Sequence, residues 1–161
     1  MQTVLFLGVA AAAMFVWGTG GSLPEVVASH FAASGTANGF TPRAWYVGLM
    51  LVLVVAVPLL VGLSAKLAAV LPVGLVNLPN REFWLSAERR SQTLESLAQL
   101  CVPFSLGVAA LLCFMHWLVV QANASQPVRF PGPAAWGALA VFGIGTMVWL
   151  LALWRRFSRV T

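Results

Sequence analysis

Residues 45–63 read WYVGLMLVLVVAVPLLVGL, an uncharged and almost wholly apolar stretch. A bilayer core about 30 Å thick is crossed by about 20 apolar residues in a helix, so this run has the length and composition of one membrane span. Three more runs meet or approach the same requirement: Val4 to Trp17 with its glycine extension, Leu97 to Val120, and Ala134 to Trp154. A membrane β-barrel would instead show short segments of alternating polarity. The expected fold is therefore an all-α integral membrane bundle of four transmembrane helices.

The composition agrees. The chain is 60% hydrophobic and 8% charged, with a mean hydropathy of +0.90, whereas a soluble domain carries roughly 25% charged residues. The first run is not preceded by a positive charge and is read as a spanning helix, not a cleaved leader. The expected order, in one domain, is a span over about 2–20, an outer loop over 21–43 and a span over about 44–66. A cytoplasmic segment over 67–93, a span over about 94–120, an outer loop over 121–133 and a span over about 134–155 complete it.

Charge orients this arrangement. Lys66, Arg81, Arg89, Arg90, Arg155, Arg156 and Arg159 fall on one side, and only Arg43 and Arg129 on the other. The positive-inside rule makes the richer side cytoplasmic, with both termini inside, in a bacterial inner membrane. Anionic lipid headgroups account for the net charge of +5. Basic residues do not form a stripe with interleaved aromatics, so nucleic acid is excluded as a partner.

Between the first two spans lies the polar, glycine-rich segment GTGGSLPEVVASHFAASGTANGFTPRA, residues 18–44. Ser22 and Glu25 match a capping box with Pro24 in the first turn, which predicts a short outer-face helix from Leu23 to about Ala33, stopped by Gly35. Leu23, Val26, Val27, Phe31 and His30 share one face of such a helix, which turns His30 toward the bundle. Glu25 lies about 140° away around the helix, so the two are not a catalytic pair.

The second histidine, His116, falls near the outer end of the third span, where an ionisable group is a functional candidate. It is placed to meet His30 across the bundle, with Asn123 or Glu25 nearby, or to make an ordinary interhelical hydrogen bond. A metal site needs three or four ligands, and the chain contains no aspartate, so metal is carried only as a minor reading of His30 and His116. The outer-loop candidates for binding are Glu25, His30, Asn38, Arg43, His116 and Asn123. Cys101 and Cys113, about 18 Å apart along one helix, are read as buried free thiols.

On the inner side, LAAVLPVGLV (67–76) is too short to cross and either extends the second helix or lies at the interface. NLPNREFWL (77–85) combines turn residues with Arg81, Phe83 and Trp84, the chemistry of a headgroup-level anchor. Ser86 is the expected N-cap of a helix that continues into the third span, bending at Pro103. Arg81, Glu82, Glu88, Arg89, Arg90 and Glu95 are expected to pair as a mixed-charge cluster. No nucleophile elbow, phosphate loop, HExxH or CxxC occurs, which implies neither an enzyme nor a cofactor.

Two stretches resemble a bacterial family. LPEVVASHFAASGTANGF resembles the domain of unknown function of SdpI-type membrane proteins through Pro24, His30, Phe31, Gly35, Asn38 and Gly39. NLPNREFWLSAERR resembles the cytoplasmic motif of short members of that group through Asn77, Pro79, Asn80, Trp84, Leu85, Glu88 and Arg89, with Arg81 inside it. His116 with Ala122 and Asn123 is a weaker third match. The resemblance implies a multi-pass inner-membrane protein and, for the SdpI type, immunity to a secreted peptide toxin combined with signalling at the membrane. The alternative is an accessory subunit of a larger membrane complex, packed against partner helices through the glycines of the last span, Gly137, Gly143 and Gly145; besides lipid, the expected associations are a protein partner or a homo-oligomer. A metal or small-molecule transporter is a third reading.

Overall fold

The computed structural model describes residues 1–159. Four helices are long and apolar enough to cross a membrane: α1 (Gln2–Gly20), α2 (Arg43–Gly62), α5 (Arg90–Ala124) and α6 (Gly132–Phe157). Between α1 and α2 stand two strands, β1 (Val26–Phe31) and β2 (Ala37–Pro42). Between α2 and α5 come the short helices α3 (Ser64–Val70) and α4 (Arg81–Trp84), with a 3-10 turn at Val73–Leu75. The protein is thus a multi-pass membrane protein.

The strands correct the expected outer-face helix. Residues 23–33 do not form one: β1 and β2 pair antiparallel, Val26 opposite Pro42, Val27 opposite Thr41 and Ala28 opposite Phe40, with register shifts around His30. The turn explains why. Gly35 has φ +81°, a Cβ there would stand 2.8 Å from the Phe130 carbonyl oxygen, and its N–H donates to the Ala32 carbonyl. This is a tight hairpin turn with glycine at the left-handed position. The apparent capping box dissolves, because the Ser22 hydroxyl donates back to the Thr19 carbonyl at 2.7 Å.

Three spans, α1, α2 and α5, pack on one another. Their core holds Ala12 and Val16 from α1, Tyr46, Met50 and Val54 from α2 and Ala109 from α5, with Leu23 and Val27 of the hairpin segment. Deeper in the membrane Leu5, Val9 and Val102 form a second cluster. Gly62 permits the close approach there: a Cβ at this position would stand 2.7 Å from Leu5. The fourth span, α6, packs along α5. Phe104 of α5 stacks on Trp149 at 4.3 Å between centroids, and the Trp149 indole donates to the Leu100 carbonyl at 2.9 Å, in the turn before Pro103.

At the end opposite the hairpin, the 77–89 motif receives the end of α6. Asn80, in the left-handed region at φ 52°, donates from Nδ2 to the carbonyls of Phe157 (3.2 Å) and Ser158 (3.0 Å). The Trp84 indole donates to the same Phe157 carbonyl at 2.8 Å. Carbonyls left over by the last helical turn are thereby satisfied. Phe157 itself is fully buried among Ala65, Ala68, Val76, Leu78, Leu85 and Leu97.

Two expectations at this end are corrected. Helix α5 begins at Arg90, not at Ser86, and it is the Ser86 carbonyl that accepts from Arg89 and Arg90. Nor do the charges pair as a cluster. Among the described residues the single ion pair is Arg89 with its neighbour Glu88 at 3.8 Å, both exposed, a geometry that contributes little. The arginines of this segment instead bond main-chain carbonyls or cover a ring: Arg81 donates to the Gly74 carbonyl and Arg90 to the Ala69 carbonyl, both at 2.9 Å. Arg89 lies 4.1 Å over Phe83.

Candidate functional site

The polar groups at the hairpin end form two linked systems around α5. The first is centred on His116, which is 1% exposed. Its Nε2 lies 2.9 Å from Thr19 Oγ1 of α1, and its Nδ1 lies 3.1 Å from the Tyr46 hydroxyl of α2. One proton arrangement satisfies every donor. The Thr19 hydroxyl donates to the Phe15 carbonyl at 2.6 Å, so it accepts from Nε2–H of a neutral imidazole. Nδ1 then accepts from the Tyr46 hydroxyl. Three spanning helices are thus tied together through one buried imidazole.

Seven residues further along α5, on the same face, Asn123 holds the hairpin. Its Oδ1 accepts from the Ala28 N–H at 2.9 Å, and its Nδ2 donates to the Ala28 carbonyl at 3.0 Å and to the Val119 carbonyl at 2.9 Å. From the other side, Arg43 at the start of α2 donates from Nη1 to the Leu23 carbonyl and from its backbone to the Glu25 carbonyl. The turn is held as well. Thr36 bridges to Arg129, the Phe130 N–H donates to the Gly35 carbonyl at 2.9 Å, and Phe31 stacks on Phe130 at 4.9 Å.

The structure therefore places the outer candidates as follows. Asn123 and Arg43 clamp the hairpin, and His116 ties the helices beneath it. Glu25 is exposed and supplies a backbone carbonyl to the clamp. His30 and Asn38 are exposed and bond across the strands, Nδ1–H donating to Oδ1 at 2.6 Å. The expectation that His30 turns into the bundle is corrected: the pairing register shifts between Ala28 and His30, and His30 is left exposed at the rim of the hairpin, bordering the cavity beneath it. The two histidines do not join, since both ring nitrogens of His116 are taken by Thr19 and Tyr46. Among the described residues no three of His, Cys, Asp and Glu gather as metal ligands.

Under the hairpin lies a cavity of about 670 Å³, the size range of small-ligand sites. The hairpin roofs it with Ser29, His30, Phe31 and Thr41. Its floor is α5, at Leu112, Met115, His116 and Val119. Tyr46, Leu49 and Met50 of α2 form one wall, and Ala135, Trp136 and Leu139 of α6 the other. The polar groups of the cavity are those of the roof and, below it, the Tyr46 hydroxyl and the His116 imidazole, which bond each other; the deepest lining residues, Met50, Leu112 and Leu139, are apolar.

Of the 77–89 motif, Asn80 and Trp84 hold the end of α6, Arg81 closes the turn before α4, and Glu88 and Arg89 form the exposed pair. Asn77 lies with Asn80 and Arg81 along a shallow groove of about 450 Å³, and Pro79 leads into the left-handed Asn80. Thr19 and Tyr46 escape the sequence reading. The signal was present: Tyr46 is the chain's one tyrosine, and Thr19 is a hydroxyl at the end of an apolar run.

Residues 4–56 match a family described as a domain of unknown function, DUF1648. The match takes in α1, the hairpin and most of α2, and with them Thr19, His30, Asn38, Arg43 and Tyr46. No curated protein and no solved structure matches the chain.

Proposed function

We propose that this is a non-enzymatic, SdpI-like protein of the bacterial inner membrane that recognises a ligand with its hairpin end, giving immunity to a secreted peptide. Membrane signalling through the same loop is a variant of that reading. The observation that carries it is the mounting of the hairpin. Two strands too short to be stable alone are fixed by Asn123, Arg43 and Phe130, and they present His30, Asn38 and Phe40 outward. Phe40 is 63% exposed. A surface ordered before its partner arrives loses less entropy on binding. The charge asymmetry supports a periplasmic position for this end, where a secreted peptide arrives first.

The test is survival. Cells lacking the gene are challenged with peptides secreted by sibling cells, and protection is restored by the wild-type gene but not by His30→Ala/Asn38→Ala. Equal sensitivity of deleted and wild-type strains overturns the immunity reading.

One observation favours a second reading, an accessory subunit of a larger complex. Along α6, Gly137, Gly143 and Gly145 have no atom within 4 Å of where a Cβ would stand, and small residues of this kind let spanning helices approach closely. Mass determination after purification in mild detergent decides it, because a lone chain contradicts the subunit reading.

A further inference from the structure

The cavity under the hairpin is lined by residues of both α2 and α6, with α5 between them. Helices α2 and α6 both lie along α5 with little contact between them, so the space between them is a lateral slot. Its lips are Leu49 of α2, 59% exposed, and Trp136 and Leu139 of α6, 73% and 40% exposed. All three belong to helices long and apolar enough to span.

Exposed Trp17, Trp45 and Trp136 stand at the hairpin ends of α1, α2 and α6. Such a ring marks the level of the headgroups. The roof lies at or beyond that level, and the walls run inward from it: Gly132 to Leu139 is about 10 Å of helix rise. The space is thus amphiphilic along its length. At the roof are the Ser29 and Thr41 hydroxyls, paired at 2.7 Å, and His30, whose Nδ1 is taken by Asn38 while Nε2 stays available. Below them come Tyr46 and His116, whose polar atoms are engaged with each other and Thr19, and then Leu49, Met50, Leu112, Met115 and Leu139. No carboxylate lines it.

We propose that this slot is a binding site for one membrane phospholipid, which enters sideways between α2 and α6. One acyl chain lies along α5, and the headgroup rests under the hairpin against His30. Its chemistry argues against a soluble polar ligand, because the lips between α2 and α6 are exposed apolar side chains of spanning helices and the deepest lining residues are apolar. The bound lipid supports the hairpin from below and so deepens the recognition reading on which it partly rests, though the lipid site can stand without it.

The test is native mass spectrometry of the full chain released from mild detergent after exchange into vesicle-free buffer. Wild type is expected to retain one phospholipid per chain. Leu139→Trp, which fills the slot from an accessible face of α6, is expected to lower occupancy at least tenfold. Ile144→Trp, on α6 outside the slot, is expected to leave it unchanged. Leu112→Trp repeats the test from the floor, with thermal unfolding followed by tryptophan fluorescence to verify folding. His30→Ala is expected to reduce retention several-fold.

Wild type without a retained lipid overturns the proposal. So does equal retention in Leu139→Trp and Ile144→Trp, which would mean surface lipid only. Lipid loss in Leu139→Trp with peptide protection intact would show that both sites exist and that recognition does not need the lipid, and lipid retention by wild type in cells that gain no protection would leave the lipid site standing alone.

Discussion

At Ala28 a side-chain amide takes the place of a neighbouring strand. Asn123 both accepts from and donates to that one residue, so the edge of β1 facing α5 is satisfied without a third strand. Replacing Asn123 by Ala leaves both backbone groups without partners in a half-buried place, where each orphaned group costs about 1–3 kcal/mol. Asn123→Ala is expected to speed amide exchange at Ala28 and to loosen the hairpin while the four helices persist; unchanged exchange would show that the clamp is dispensable. His116 answers to a different scale of energy. Interhelical hydrogen bonds in membranes average about 0.6 kcal/mol, with a maximum near 1.7. Tyr46→Phe, which removes one donor and keeps the ring stacked 5.6 Å from the imidazole, is expected to lower stability within that range in a detergent unfolding titration. A loss several times larger would mean that the bond does more than tie helices.

The hairpin and the end of α6 are the elements whose placement depends most on single positions. Gly35 combines a positive φ with a carbonyl where a Cβ would go, so Gly35→Ala is strained twice and is expected to destabilise the turn by more than about 1 kcal/mol. The readout is faster proteolysis between residues 31 and 37, and wild-type resistance would contradict it. At the opposite end, Asn80→Ala loses two bonds to the last turn of α6 and keeps an unfavourable left-handed backbone. Asn80→Gly loses the bonds alone. The alanine variant is therefore expected to be the less stable of the two.

These elements also show what the amino-acid pattern can and cannot reveal. The four spans are legible because burial in lipid demands an unbroken apolar length, a property of each segment by itself. The hairpin is not. Ser22, Pro24 and Glu25 offer a local helix start, whereas the strand answers to Asn123, 95 residues beyond Ala28. His116 and Asn123 stand out as polar residues late in an apolar helix; Thr19 and Tyr46 look like ordinary interface residues until the fold brings them to His116. Likewise the arginines of the 77–90 segment suggest ion pairs, because nothing local announces the main-chain carbonyls that they bond instead.

On the scale of the whole molecule, the account rests on two ends of opposite character joined by four spans. One end is polar, clamped and nearly free of basic residues; the other carries seven of the nine basic residues and the 77–89 motif that receives α6. Recognition at the hairpin requires that end to face outward. The most direct measurement is labelling of intact cells with a membrane-impermeant maleimide, using single cysteines in a Cys101→Ser/Cys113→Ser background. Asn38→Cys at the exposed hairpin and Glu88→Cys at the basic end are the reporters. The account predicts labelling of the position-38 variant in intact cells and of the position-88 variant only after the membrane is broken. The reverse pattern would contradict it.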